Sequence, residues 1–431
     1  MALQQIDLDT VQPNNKRGVP GRTAMTIVNQ NSAEAEQRIA ETEQRVAAIE
    51  TAGPQVDQRL EALEGELVAV GAAIGQEQAA RADADAALAQ ALAAQGGRIV
   101  GKNRLINGNF DFWQRGTSFG GTTFAGYTAD RFYVEIGSMT GCTCSRQPVT
   151  PGNPGFKADP AYAMQFDYTG NTSAAGHYLL LHQRAEDVRM WAGRPTMLSF
   201  TVFNSGSAGR QIAIEFIQHF GTGGSASITG LLAHKITLSA GFNYIEVPVT
   251  LPGVAGKSIG PNSYADAIVW ISGGSSFNAR NGSLGAQSGQ LIFSALQWED
   301  GEVATSFDQR PLALELAQCQ RFYEKSYDPS LFAQAINAAG FESYGIVANG
   351  YFLTGTPSFK VAKRTAPSVT VYRYDSGGPG EWTEYGTTGS PIAGRVASIT
   401  NVTPRGFEVR GNGAATGGSI SRFHWTADAE F

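Results

Sequence analysis

The chain has 431 residues, enough for two or three domains, with 52 glycines, 16% charged residues and a formal net charge of -6. A mildly acidic chain makes a poor polyanion binder, so nucleic acid is not an expected partner. No apolar run reaches the ~18 to 20 residues needed to cross a bilayer, and the start MALQQIDLDT lacks the regions of a secretory signal, so synthesis in the cytoplasm without membrane insertion is expected.

Residues 1–32 read as a polar, irregular segment broken by Pro13, Gly18, Pro20 and Gly21. Ser32 is placed as an N-cap, with Glu34 and Glu36 in the first turn, and a helical pattern covers residues 33–98. Its apolar residues alternate between two core positions of a heptad. Ile39, Val46, Leu60, Leu67 and Ile74 occupy one, and Thr42, Ile49, Val56, Leu63 and Val70 the other. So narrow a seam is buried only against a like seam on a neighbouring helix, and β-branched residues at both positions favour three or more strands. A parallel homotrimeric coiled coil is predicted. Gly53-Pro54 is expected to interrupt the helix, because Pro removes an amide donor and clashes with the preceding turn. Beyond Ile74 the stripe thins, which predicts a stutter.

After Gly96-Gly97 the period changes from about 3.5 to 2. Met197–Phe203, Gln211–Ile217, Asn243–Leu251, Asp266–Ser272 and Gly289–Trp298 read as strands between Gly, Ser, Asn and Pro clusters. Strands without intervening helices imply a jelly-roll β-sandwich, assigned to residues 101–310. Pro311 opens a linking helix over 311–327, with Leu312, Leu316, Cys319 and Tyr323 on one apolar face. Residues 328–431 form a smaller C-terminal β domain. The fold class is therefore mainly β with an N-terminal α-helical trimeric coiled coil. Cys142, Cys144 and Cys319 form no closed disulfide framework and are expected as reduced thiols.

The string GKNRLINGNFDFWQRGTSF from Gly101, followed by Tyr127–Val134, resembles the opening of a β-sandwich found in tail fibres of bacteriophages and prophages. Leu179–Val202 and Gln297–Tyr327 are similar to further blocks of that family in the same order, and Phe423–Phe431 resembles the end of such fibres. GRTAMTIVNQN, from Gly21, is similar to their N-terminal segments. The resemblance implies a virion protein that is trimeric, docked through its N-terminus on a tail or baseplate protein, and carrying carbohydrate-binding-like β domains toward a bacterial surface glycan.

Sugar recognition calls for an exposed aromatic face with acceptors beside it. Trp382 and Tyr385, in the Gly-rich stretch GGPGEWTEYGTTGS, are the candidates, with Glu381 and Glu384 as acceptors and Trp191 as a further platform. Trp113, Trp270 and Trp298 read as core. The five histidines, His177, His182, His219, His234 and His424, carry no metal-ligand spacing or nucleophile motif, so neither a metal nor a cofactor nor a catalytic residue is assigned. Glycosidases need two carboxylates about 5 to 10 Å apart. Glu186 with Asp187 and Glu299 with Asp300 are sequence neighbours that would point to opposite strand faces. The expected function is a non-enzymatic, receptor-binding tail fibre. A polysaccharide depolymerase and a collar or adaptor fibre are the alternatives.

Overall fold

The computed structural model describes residues 21–96, 101–347, 351–352, 356–386, 388–411 and 419–431. Most of the expected docking segment, residues 1–20, lies outside them. The chain divides into two units, Met1–Gln90 and Ala91–Phe431.

One helix runs from Gly21 to Gly96, 76 residues, or about 110 Å at 1.5 Å per residue. Two expectations are corrected here. The helix begins eleven residues before Ser32, so Ser32 is not its cap, and it continues through Pro54 instead of breaking there. An interior Pro costs a helix about 3 kcal/mol, a penalty this helix carries at Pro54. The seam residues all lie on the surface of the single chain, Leu67 at 73% exposure. After Ile74 the next two core positions hold Glu77 and Arg81, which pair with each other at 2.7 Å. Two charges in the seam account for the thinning of its apolar stripe. Among the described residues, no helix is long and apolar enough to cross a membrane.

The body is mainly β. In the first sheet the strands follow the spatial order Ser118–Gly121, Gly141–Pro148, Tyr162–Thr169, Ser288–Asp300, Pro195–Asn204 and Gly241–Thr250. The second follows Phe124–Tyr127, Tyr133–Gly137, Tyr178–Glu186, Tyr264–Gly273, Gln211–His219 and Ile228–Thr237. All strand pairings are antiparallel; Phe124–Tyr127 with Tyr133–Gly137, Gly141–Pro148 with Tyr162–Thr169 and Gln211–His219 with Ile228–Thr237 are hairpins within a sheet, and the other connections cross between sheets as in a jelly roll. Strand alternation points Leu198, Phe200 and Val202 of one sheet, and Ile212, Ile214 and Phe216 of the other, into a common core with Phe166, Phe293 and Trp298. Each fully buried Phe or Leu there contributes about 1.5–3 kcal/mol. Cys142 and Cys144 face this core as free thiols.

The opening block before the first strand is irregular, and asparagine side chains replace its missing backbone partners. Asn103 Oδ1 accepts from the amides of Leu105 and Trp298, while its Nδ2 donates to Leu296 O. Asn107, at φ 63°, donates to Phe112 O and Asp130 O. Asn is the side chain that best tolerates that backbone region.

The linking helix spans Leu312–Gln320, shorter than expected, and Tyr323–Lys325 forms a strand against Ile420–Asp428. The expected apolar face is corrected in part, since Cys319 and Tyr323 are buried as expected. Leu312 is exposed, and the inward face carries Glu315 and Cys319. Glu315 is held inside by Arg310, at 3.2 Å, and by the Asn107 amide. The C-terminal sheet runs Tyr351–Phe352, Glu342–Val347, Ile420–Asp428, Glu381–Tyr385, Pro391–Thr403 and Gly406–Gly411, with Ser368–Arg373 also pairing with Ile420–Asp428. Its core gathers Phe359, Val371, Trp382, Phe407, Phe423 and Trp425.

Candidate functional site

The stretch expected as a loop is a strand. Glu381–Tyr385 pairs on one side with Pro391–Thr403 and on the other with Ile420–Asp428, and alternation divides the expected sugar-binding residues between two faces. Trp382 points inward and is fully buried. Its indole lies so close to Gly411 that a Cβ there would come within 2.6 Å of the ring. Glu384, also buried, accepts from Arg395 Nε at 2.7 Å. Neither can meet a sugar on the surface. Trp191 is corrected likewise. It is 1% exposed and stacked on Trp298 with ring centroids 3.6 Å apart, beneath the Arg104 guanidinium. Trp113, Trp270 and Trp298 are buried as expected.

Glu381, Thr383 and Tyr385 project from the opposite face of that strand, where residues from three other segments join them. Arg422 sits across from Thr383 in the paired strand. Its guanidinium carbon lies 4.0 Å from the Tyr385 ring centroid, 5.0 Å from Phe341 and 6.0 Å from Tyr374. Phe341 and Tyr374 are themselves 5.5 Å apart, and Tyr374 and Tyr385 6.2 Å. All three rings are half-buried, each with one part open to solvent. Burial and the hydrogen bond with Tyr385 push the Tyr374 phenol up, against the opposite pull of Arg422.

Beside this collar lies a polar network. Arg373 donates to both oxygens of Asp375, at 3.0 and 2.9 Å, Thr383 Oγ1 donates to Asp375 at 2.7 Å, and Glu381 stands 3.6 Å from Arg373. The Arg373 hydrogen bonds hold the Asp375 carboxyl below its usual range. Aromatic faces with donors and acceptors at their edge form a surface that can stack an apolar ring face and bond its hydroxyls. Only Tyr385 and Glu381 of this group were flagged by sequence. Tyr374, Phe341 and Arg422 come from separate segments, and the one readable signal was the odd-even pattern of EWTEY.

A second surface lies on the outer face of the first sandwich sheet. A cavity of about 500 Å³ is lined by Ser199, Thr201, Glu246, Lys157, Thr305 and Phe307, among others. Its Thr305 wall is fixed, since Thr305 Oγ1 donates to Glu299 at 2.6 Å and Gln297 Nε2 donates to the same carboxylate at 2.8 Å. Tyr244 lies on this face with the Lys157 ammonium 4.5 Å from its ring.

The carboxylate neighbours are used structurally. Glu186 is clasped by Arg321, Asp187 accepts from the Arg189 amide, Glu299 holds Thr305, and Asp300 pairs with Arg104. His182 is buried between Asp266, at 2.8 Å, and Glu135, at 3.3 Å, with Arg184 3.9 Å from Asp266. Burial opposes its charge, yet Asp266 and Glu135 outweigh that effect and push the imidazole up to about 9. A raised folded value means the contribution is complete below an unfolded value of about 6.5 and is lost as pH rises through about 9. The urea-midpoint difference between wild type and His182→Gln is therefore expected to shrink steadily from pH 6 to pH 10. A difference independent of pH would remove the charge from this account.

No protein-family model and no curated protein matches the chain. Among solved structures, it resembles the CBM22-2 xylan-binding domain from Paenibacillus barcinonensis Xyn10C at 13% identity, covering 42% of this chain and 99% of that one, with a TM-score of 0.26. The family 11 carbohydrate-binding module from Clostridium thermocellum, in complex with a beta-1,3-1,4-mixed-linked tetrasaccharide, is 16% identical over 43% of this chain and 97% of that one, with a TM-score of 0.25. TmCBM61, in complex with beta-1,4-galactotriose, is 10% identical over 46% and 99%, with a TM-score of 0.23.

Proposed function

We propose that this chain is a non-catalytic attachment fibre of a bacteriophage, a homotrimer through its helical seam that binds a glycan on the bacterial surface through the outer face of its C-terminal sheet. The outward collar of Tyr385, Tyr374 and Phe341 around Arg422 carries this reading. The open part of each half-buried ring loses its hydration at little cost, and the apolar face of a pyranose covers it. The exposed heptad seam and the likeness of GKNRLINGNFDFWQRG to tail-fibre sandwiches support the virion setting. Three chains joined by the seam gather three copies of a weak surface, and the resulting avidity can exceed a single contact by about 100-fold or more.

The test uses the full chain and polysaccharide extracted from cells to which the wild-type protein adsorbs. Tyr374→Ala with Tyr385→Ala is expected to lower retention on that polysaccharide at least about tenfold, from the loss of two stacking faces, with far-UV circular dichroism unchanged. Unchanged retention would remove this face as the contact. Sustained release of reducing ends by the wild-type protein would replace binding with depolymerase activity.

A further inference from the structure

The C-terminal surface holds a cation whose counter-charge is missing. In the C-terminal domain Arg373 pairs with Asp375, Arg395 with Glu384 and Arg410 with Glu408. Arg422 makes no ion pair among the described residues, its buried Nε has no hydrogen-bond partner, and residues 348–355, 387 and 412–418 contain no Asp or Glu. Three aromatic rings surround its guanidinium instead. Aromatic faces stabilise such a charge only modestly, and they also lower the local dielectric, so an anion reaching Arg422 gains more than it would at an open surface. The planar fork of an Arg fits a carboxylate with two parallel hydrogen bonds.

Resting on the glycan reading above, we infer that this site takes an acidic glycan of the uronate class, its carboxylate paired with Arg422 and its sugar ring stacked against Tyr385 and Tyr374. The neighbouring network limits where the anion sits. Arg373 is already engaged by Asp375, and Glu381 repels a carboxylate placed over the other end of the strand. The acid group therefore faces Arg422, and the hydroxyls face Glu381, since Thr383 is buried with its own hydroxyl engaged by Asp375.

The full chain is to be passed over immobilised polygalacturonate, hyaluronate, their fully methyl-esterified forms and a glycerol-phosphate teichoic acid. The acidic uronates are expected to be retained at least about tenfold more strongly than their esters, as a charge-assisted bidentate pair requires. Arg422→Gln should bring that ratio to about one, and Arg422→Lys should restore only part of it. Thermal unfolding of each variant is measured alongside, so that loss of fold is told apart from loss of binding. Equal retention of acid and ester, or an acid preference that survives Arg422→Gln, overturns the inference. Stronger Arg422-dependent retention of the teichoic acid than of either uronate also overturns it, since the anion would then be a phosphate. Tyr374- and Tyr385-dependent retention of host polysaccharide without any preference for acid would sink this inference and leave the glycan reading standing. No retention of host polysaccharide or of any probe would sink both.

Discussion

Leu63→Glu combined with Leu67→Glu is expected to turn an assembly of three chains into single chains of 45.7 kDa, read by sedimentation equilibrium. The two leucines lie at the two core positions of adjacent heptad layers, and both are exposed when the chain is alone. In a three-stranded bundle each layer would bury three such side chains at about 1.5–3 kcal/mol apiece, so the double variant forfeits on the order of 10 kcal/mol before repulsion among six carboxylates is counted. Helicity should fall with the mass. In the trimeric reading, a helix of this length with four interior glycines and Pro54 owes its order to burial of the seam more than to intrinsic propensity. Gln58→Glu, on the opposite side of the heptad, should leave the mass unchanged. Retention on a dense polysaccharide surface should drop by about 100-fold or more as avidity is lost, while affinity for a short oligosaccharide in solution stays constant. A wild-type protein that sediments as a single chain would end the trimeric reading. A mass twice that of the chain would replace it with a dimer.

Features decided locally were readable from the sequence. The heptad seam repeats over about five turns of the pattern, and Met197–Phe203, Gln211–Ile217, Asp266–Ser272 and Gly289–Trp298 lie in strands, as does Asn243–Leu251 up to Thr250. What failed was decided by distant partners. EWTEY is bounded by turn-forming residues, and only its pairing with Ile420–Asp428 makes it a strand that buries Trp382. Tyr323–Lys325 continued a helical pattern until pairing with the same strand claimed it, as strand preference commonly follows context. Glu315 replaced Leu312 on the inward face because Arg310 and the Asn107 amide satisfy its charge there, a condition no hydrophobic periodicity records. The collar around Arg422 draws on residues more than 80 positions apart in sequence, from Phe341 to Arg422. Its assembly is a property of sheet register, so spacing along the chain could not have given it.

The buried pair Lys363 and Glu324 ties together the three segments on which that register depends, and breaking it should unfold the C-terminal domain more readily than any surface change. Both side chains are 0% exposed and meet at 2.5 Å. Lys363 Nζ also donates to Gln320 O, at the end of the linking helix, and to Val361 O, while Glu324 accepts from the Lys360 amide at 2.9 Å. Burial pulls the Lys363 ammonium below its ordinary range, and Glu324 opposes that pull. Lys363→Met leaves a carboxylate in the interior with only amide donors and is expected to cost about 3–5 kcal/mol, the usual penalty for orphaning a buried charge. Removing both charges with Lys363→Met and Glu324→Leu should recover most of that loss, because the desolvation of two ions disappears along with their attraction. The two single losses should therefore sum to far more than the loss in the double variant, a coupling that a double-mutant cycle in urea measures directly. Indole fluorescence is the readout, since Trp382 and Trp425 lie in the adjoining core. A single-variant cost below about 1 kcal/mol, the range of a solvent-exposed pair, would mean that water reaches Glu324 and that the pair is not a buried clasp.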